Sequence, residues 1–139
     1  MPTRAPRSGL RLSSITAAGV AGNGSAFTSG NPNAPQGTQV AFLQKNGTLS
    51  QAVNFSAGTY IVSFDAAQRK NFQASSQTVA VEVDGAVVGT IKPGGTSYAL
   101  YTTNAFTVTA GTHTVEFVGL DPNGGDNTAF IDEVTIGSA

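Results

Sequence analysis

Residues 58–68 read GTYIVSFDAAQ. A glycine turn opens the run, and side chains then alternate with a period of two. Tyr60, Val62, Phe64 and Ala66 fall on one face, and Ile61, Ser63, Asp65 and Ala67 on the other. That is the period of a strand with one buried face, since successive side chains of a strand point to opposite sides. The same period recurs on both sides of it. "TQVAFLQ" (38–44) is a short apolar strand, and "LSQAVNF" (49–55) carries Leu49, Val53 and Phe55. Val79, Val81 and Val83 alternate up to Asp84-Gly85, a dipeptide suited to a left-handed hairpin turn, before Val87-Val88. Residues 104–120, "NAFTVTAGTHTVEFVGL", are predicted as a second hairpin turning at Ala110-Gly111-Thr112. "TAFIDEVTIG" (128–137) closes the series, with Phe130, Asp132, Val134 and Ile136 expected on one face. No window carries a helical period. Strands spaced by roughly eight to twelve residues predict an all-β fold, a two-sheet antiparallel β-sandwich.

Composition narrows the functional classes. The chain has 139 residues, 11% charged and 40% hydrophobic, with a formal net charge of -1. There is no global field to attract a polyanion, so nucleic acid is not an expected partner. The longest apolar run falls far short of a membrane span. Cysteine is absent, which excludes disulfides and thiolate metal sites. Residues 1–18 hold three of the seven cations, Arg4, Arg7 and Arg11, and no long apolar stretch. They are expected to be an N-terminal tail or a replaced first strand, with residues 19–139 forming the sandwich module. Residues 19–37, rich in turn formers, are expected as a surface loop.

Several segments together resemble a known family. They are "GNGSAFTSGNPNAPQGTQVAFLQ", "SQAVNFSAGTYIVSFDAAQR", "VEVDG", "YTTNAFTVTAGTHTVEFVGL" and "GGDNTAFIDEVTI". The chain is similar, over residues 19–137, to bacterial extracellular carbohydrate-binding modules of the galactose-binding-like, jelly-roll superfamily. The closing "FIDEV" is the most specific match. The resemblance implies a non-catalytic module, extracellular or at the cell surface, that takes a polysaccharide or oligosaccharide. It also implies a structural calcium touched by Asp132. The start of the chain departs from the family, whose first strand supplies further calcium ligands.

The residues themselves supply candidates for both sites. Four of the eight acids, Asp121, Asp126, Asp132 and Glu133, fall within thirteen positions. Calcium takes six to eight hard oxygens, and Asp132 and Asp126 are the candidate metal contacts. A solvated turn and a hydrogen-bonded carboxylate are the competing account. Sugars are bound by aromatic rings against their C–H faces and by planar polar groups that chelate hydroxyls. Gln44, Asp65 and Arg69 could form a polar strip across one sheet, with Glu82 beside it. Tyr98, Tyr101 and Phe72 could supply the ring. Polar outer faces are also what any sandwich needs. Catalysis has little to rest on, because His113 is the one histidine and sits in a turn, and no Ser–His–acid set is evident. The rival expectation is a structural or self-assembling module, a homo-oligomer that associates through an exposed edge strand.

Overall fold

A computed structural model of the protein describes residues 15–22, 39–69, 77–121 and 128–139. The described residues form nine strands: β1 (Ile15–Gly22), β2 (Gln39–Phe55), β3 (Gly58–Gln68), β4 (Val79–Val83), β5 (Ala86–Ile91), β6 (Ala99–Thr102), β7 (Phe106–Val108), β8 (Gly111–Gly119) and β9 (Thr128–Ser138). Every pairing is antiparallel. Two sheets face one another as a sandwich. The first runs β2–β9–β3, with β6 and β7 sharing the far edge of β3 and β1 along β2. The second runs β5–β4–β8–β2.

β2 belongs to both sheets. Its first part, Ala41 to Gln44, pairs with β9. Its second part, Thr48 to Phe55, pairs with β8. Against β1 the register jumps between Thr16 and Ala18, whose partners are Thr48 and Leu43. The bend thus falls between Gln44 and Thr48, where Gly47 stands, and a strand bent in this way makes a corner between packed sheets. The two strands expected from the sequence over 38–44 and 49–55 are therefore one. On the opposite side the sheets also meet, because Asn104 N donates to the Val88 carbonyl at 2.9 Å.

The core is the layer between the sheets. Tyr60, Val62, Phe64 and Ala66 of β3 point into it, as the alternation predicts. Val79, Val81, Val83, Val115 and Phe117 come from the second sheet. Phe64 meets Phe117 edge to face at 5.0 Å, the geometry that aromatic quadrupoles favour. Asp84 and Gly85 both take positive φ, 50° and 84°, in the β4–β5 turn, the left-handed backbone that Asp-Gly supplies.

Three expectations change. Residues 15–22, which span the end of the expected tail or replaced first strand and the start of the expected loop, form β1; the remainder of that loop, 23–37, lies outside the described residues. β7 and β8 are not a hairpin: β7 pairs with β3, whereas β8 pairs with β2 and β4. The turn instead carries the chain from one sheet to the other, and Gly111 at φ 129° accommodates it. Finally, Asp132 does not share a face with Val134 and Ile136. The register of β9 against β3 shifts between Ser63 and Asp65, and Glu133 adopts φ 51°. This bulge inserts one residue and flips the alternation. Ala129, Ile131, Val134 and Ile136 lie in the core, and Phe130 and Asp132 face the other way.

Candidate functional site

The bulge in β9 builds a polar group on the outer face of the first sheet. Asp132 stands directly across from Asp65 on β3. Leu100 of β6 stands on the other side of Asp65 and is largely exposed. Asp132 itself is buried, and Asp65 and Glu133 are half-buried. The Asp65 carboxyl is pushed up to about 6. Burial is the main cause, followed by a hydrogen bond to Glu133, then by the charges of Glu133 and Asp132. A carboxyl can donate to another carboxylate only while protonated, so the contact with Glu133 favours the protonated form of Asp65. Tyr98 stands beside them, half-buried. Its hydroxyl is held well above the ordinary phenol range, first by burial and then by the Asp132 charge.

The same face continues toward β2. Leu43 lies in the core, so its neighbours Phe42 and Gln44 point outward. Phe42 pairs with Phe130, and Gln44 pairs with Thr128. Ala67, fully buried, lies opposite Phe130.

The candidate residues therefore separate. Asp65, Asp132 and Tyr98 come together. Gln44 shares their sheet face, at the β2 end. Arg69 follows the last residue of β3 and is 7% exposed, with its backbone N–H donating to the Thr128 carbonyl at 3.0 Å. Arg69 is as buried as Asp132, and a buried guanidinium needs partners of its own. Tyr101 turns inward. Its ring packs against Phe64 at 6.2 Å, and its hydroxyl accepts the Gly94 N–H at 2.9 Å. Phe72 and Asp126 lie outside the described residues. Glu82 is on β4 of the second sheet, opposite Glu116, so it does not pair with Asp65. Glu133 is the member that the sequence pattern missed, since nothing in "FIDEV" marks a left-handed residue. Among the described residues, no three acidic or histidine side chains are arranged to hold a metal ion.

Two buried amides sit at one end of this sheet. Gln68 Nε2 donates to the carbonyls of Gln77 and Pro93, at 2.9 and 3.0 Å. Gln77 Oε1 accepts backbone N–H groups from Thr78, Leu120 and Asp121, at 3.1–3.2 Å. These bonds tie together chain segments that follow β3, precede β6 and follow β8. Buried amides earn their place only when satisfied, and these are.

No family model matches the sequence, and no curated protein does either. Solved structures do match. The first is the CBM36-1 domain of a multidomain xylanase from the hindgut metagenome of Trinervitermes trinervoides. It is 25% identical, with a TM-score of 0.61 over 88% of this chain and 98% of that one. The fold is that of the carbohydrate-binding modules. A second such module, CBM36 in complex with calcium and xylotriose, is 17% identical, with a TM-score of 0.64 over 93% of this chain and 96% of that one. A family 35 module from Clostridium thermocellum is 17% identical, with a TM-score of 0.63 over 90% of this chain and 91% of that one. The similar structures are mainly such modules, and some matches are parts of enzymes.

Proposed function

We propose that this protein is a non-catalytic glycan-binding module, extracellular or at the cell surface, that uses the outer face of its first sheet. What supports this reading most is the grouping of Asp65, Asp132, Glu133 and Tyr98 there, on a fold shared with carbohydrate-binding modules. Tyr98 would offer a ring to the C–H face of a pyranose. Asp65 and Glu133 would accept from adjacent hydroxyls, and charge-assisted bonds of that kind are the strong ones. Gln44 would extend the contact along β2. Such a face binds and releases without breaking a bond.

Calcium belongs to the same reading. Asp132 and Asp65 supply hard oxygen donors of the kind that calcium takes, and their crowding is what a cation would relieve. Asp132 would be the principal contact, with other oxygens completing the set. The ion would supply positive charge and fixed coordination, while the chain's carboxylates orient the sugar hydroxyls.

Calorimetric titration with xylotriose and with β-1,4-galactotriose, in calcium and in chelator, tests the proposal. Binding by the parent that Asp65→Ala and Tyr98→Ala each abolish, while both variants stay folded, is the expected result. No binding to these or to any sugar on a glycan array would overturn it.

A further inference from the structure

The far end of the sandwich carries a charged pair that the glycan reading does not use. His113 lies on β8, and alternation with Val115 and Phe117 turns it toward the interior. Its side chain is 15% exposed, and that of Asp84 is 51% exposed. Nδ1 of His113 contacts Oδ2 of Asp84 in the β4–β5 turn. Nε2 lies 2.8 Å from the carbonyl oxygen of Thr109, in the turn that crosses between the sheets. Phe55 of β2 holds the ring edge to face at 5.7 Å. Asp84 is fixed in turn, since its Oδ1 accepts the Thr114 N–H at 2.9 Å.

Both ring nitrogens thus face acceptors, a carboxylate and a carbonyl. Only the imidazolium has a proton for each, because a neutral imidazole has one N–H and one bare lone pair. The Nε2 contact also rules out a base acting on Thr109: the Thr109 hydroxyl is 3.5 Å away while the carbonyl takes the proton.

We propose that His113 is a proton-operated clamp that fastens the crossover between the sheets to the β4–β5 turn. With the ring charged, both arms are made. When it loses a proton, the charge-assisted arm to Asp84 keeps the remaining one. Nε2 then presents a lone pair to the Thr109 carbonyl, and that arm lets go. The freed segment forms one wall of a cleft of about 290 Å³ whose apolar lining includes Val83, Ala86, Val88, Phe106 and Val108.

Among the described residues, the surroundings leave Asp84 as the charge that sets the clamp. Glu82 and Glu116, on the two strands flanking it, pair with each other on the outer face of the second sheet. The paired stretch of β2, and all of β5 and β7, carry no ionisable side chain. Tyr60 of β3 spends its hydroxyl on the Ser56 carbonyl at 2.7 Å. The hydrogen bond that the His113 Nδ1–H donates to Asp84 is the main influence raising His113 above its ordinary 6.5, and it also lowers Asp84 below 3.8. The histidine contribution is therefore complete below pH 6.5 and is lost as pH rises through its raised pKa. The aspartate contribution is present above pH 3.8 and is lost as pH falls through its lowered one. The clamp is closed between these limits.

The chain has one histidine, so its ring resonances are unambiguous in an NMR titration. The expected result is a His113 midpoint above 6.5, with the Thr109 carbonyl ¹³C shift moving at the same midpoint. In Asp84→Asn the midpoint falls below the parent's, because the Thr109 carbonyl alone is left to favour the charged ring. In His113→Gln the Thr109 shift is flat across that range. A parent midpoint at or below 6.5, or a Thr109 carbonyl that ignores the titration, would overturn the clamp. The experiment needs no sugar, so its outcome is separate from that of the glycan-binding titration.

Discussion

Replacing Asp65 with Asn should make the protein more stable at neutral pH. Asp65 stands across from Asp132 and beside Glu133, and its folded pKa rises from 3.8 to about 6. A carboxyl raised in this way contributes fully only below its unfolded pKa, and the contribution is lost as pH rises through the folded one. Two units of displacement at 1.36 kcal/mol each set a ceiling of roughly 3 kcal/mol. Asp65 is half-buried, and solvent screening reduces such figures, so about 1–2 kcal/mol is the working value. Asn keeps the shape and removes the charge. Urea unfolding at pH 4 and pH 7 measures the effect. At pH 7 Asp65→Asn should exceed the parent by that amount, and near pH 4 the two should converge. A variant less stable than the parent at pH 7, or a gap of equal size at both pH values, would refute the charge-crowding argument.

Calcium should narrow the same gap by stabilising the parent. A rise in melting temperature with calcium that Asp132→Ala removes is the expected result, and no response in the parent would count against an ion at this face. Phe64→Ala should cost about 3–5 kcal/mol in denaturant unfolding, because the ring is fully buried against Phe117; a loss below about 1 kcal/mol would contradict that packing. Gly89→Ala should cost about 1–3 kcal/mol. A Cβ there would sit 3.2 Å from Thr103 Cα and side-chain carbons, and Thr103 is pinned by bonds in both directions with Val62. A neutral or stabilising outcome would mean that Thr103 can shift.

The face assignment of β3 was legible in the sequence because Tyr60 to Ala67 alternates without interruption. The Asp84-Gly85 turn was legible because its chemistry is local. What was not legible depends on contacts remote in sequence. The bulge at Glu133 carries no local signature, yet it turns Asp132 from an expected inward position to the outer face. Without it, Asp65 and Asp132 would not meet. β7 and β8 look like a hairpin because their spacing suits one, but their partners, β3 for one and β2 and β4 for the other, lie far along the chain. Tyr101 reads as a loop aromatic next to Tyr98, and β6 is too short to announce the strand that turns Tyr101 inward. The pairing of His113 with Asp84 likewise spans 29 positions, beyond the reach of any pattern.

The position of β9 bears on how the chain comes into being. The last strand in sequence is a central one in space, hydrogen-bonded to β2 on one side and β3 on the other. During synthesis the first sheet cannot close until residues 128–138 have left the ribosome. Until then β2 and β3 each present an unpaired edge to other chains. The second sheet is free of that constraint, since β4, β5, β8 and the later part of β2 are all made earlier. A nascent chain halted before residue 128 would hold one sheet assembled and the other unsealed, and a chaperone that masks strand edges would find its target there.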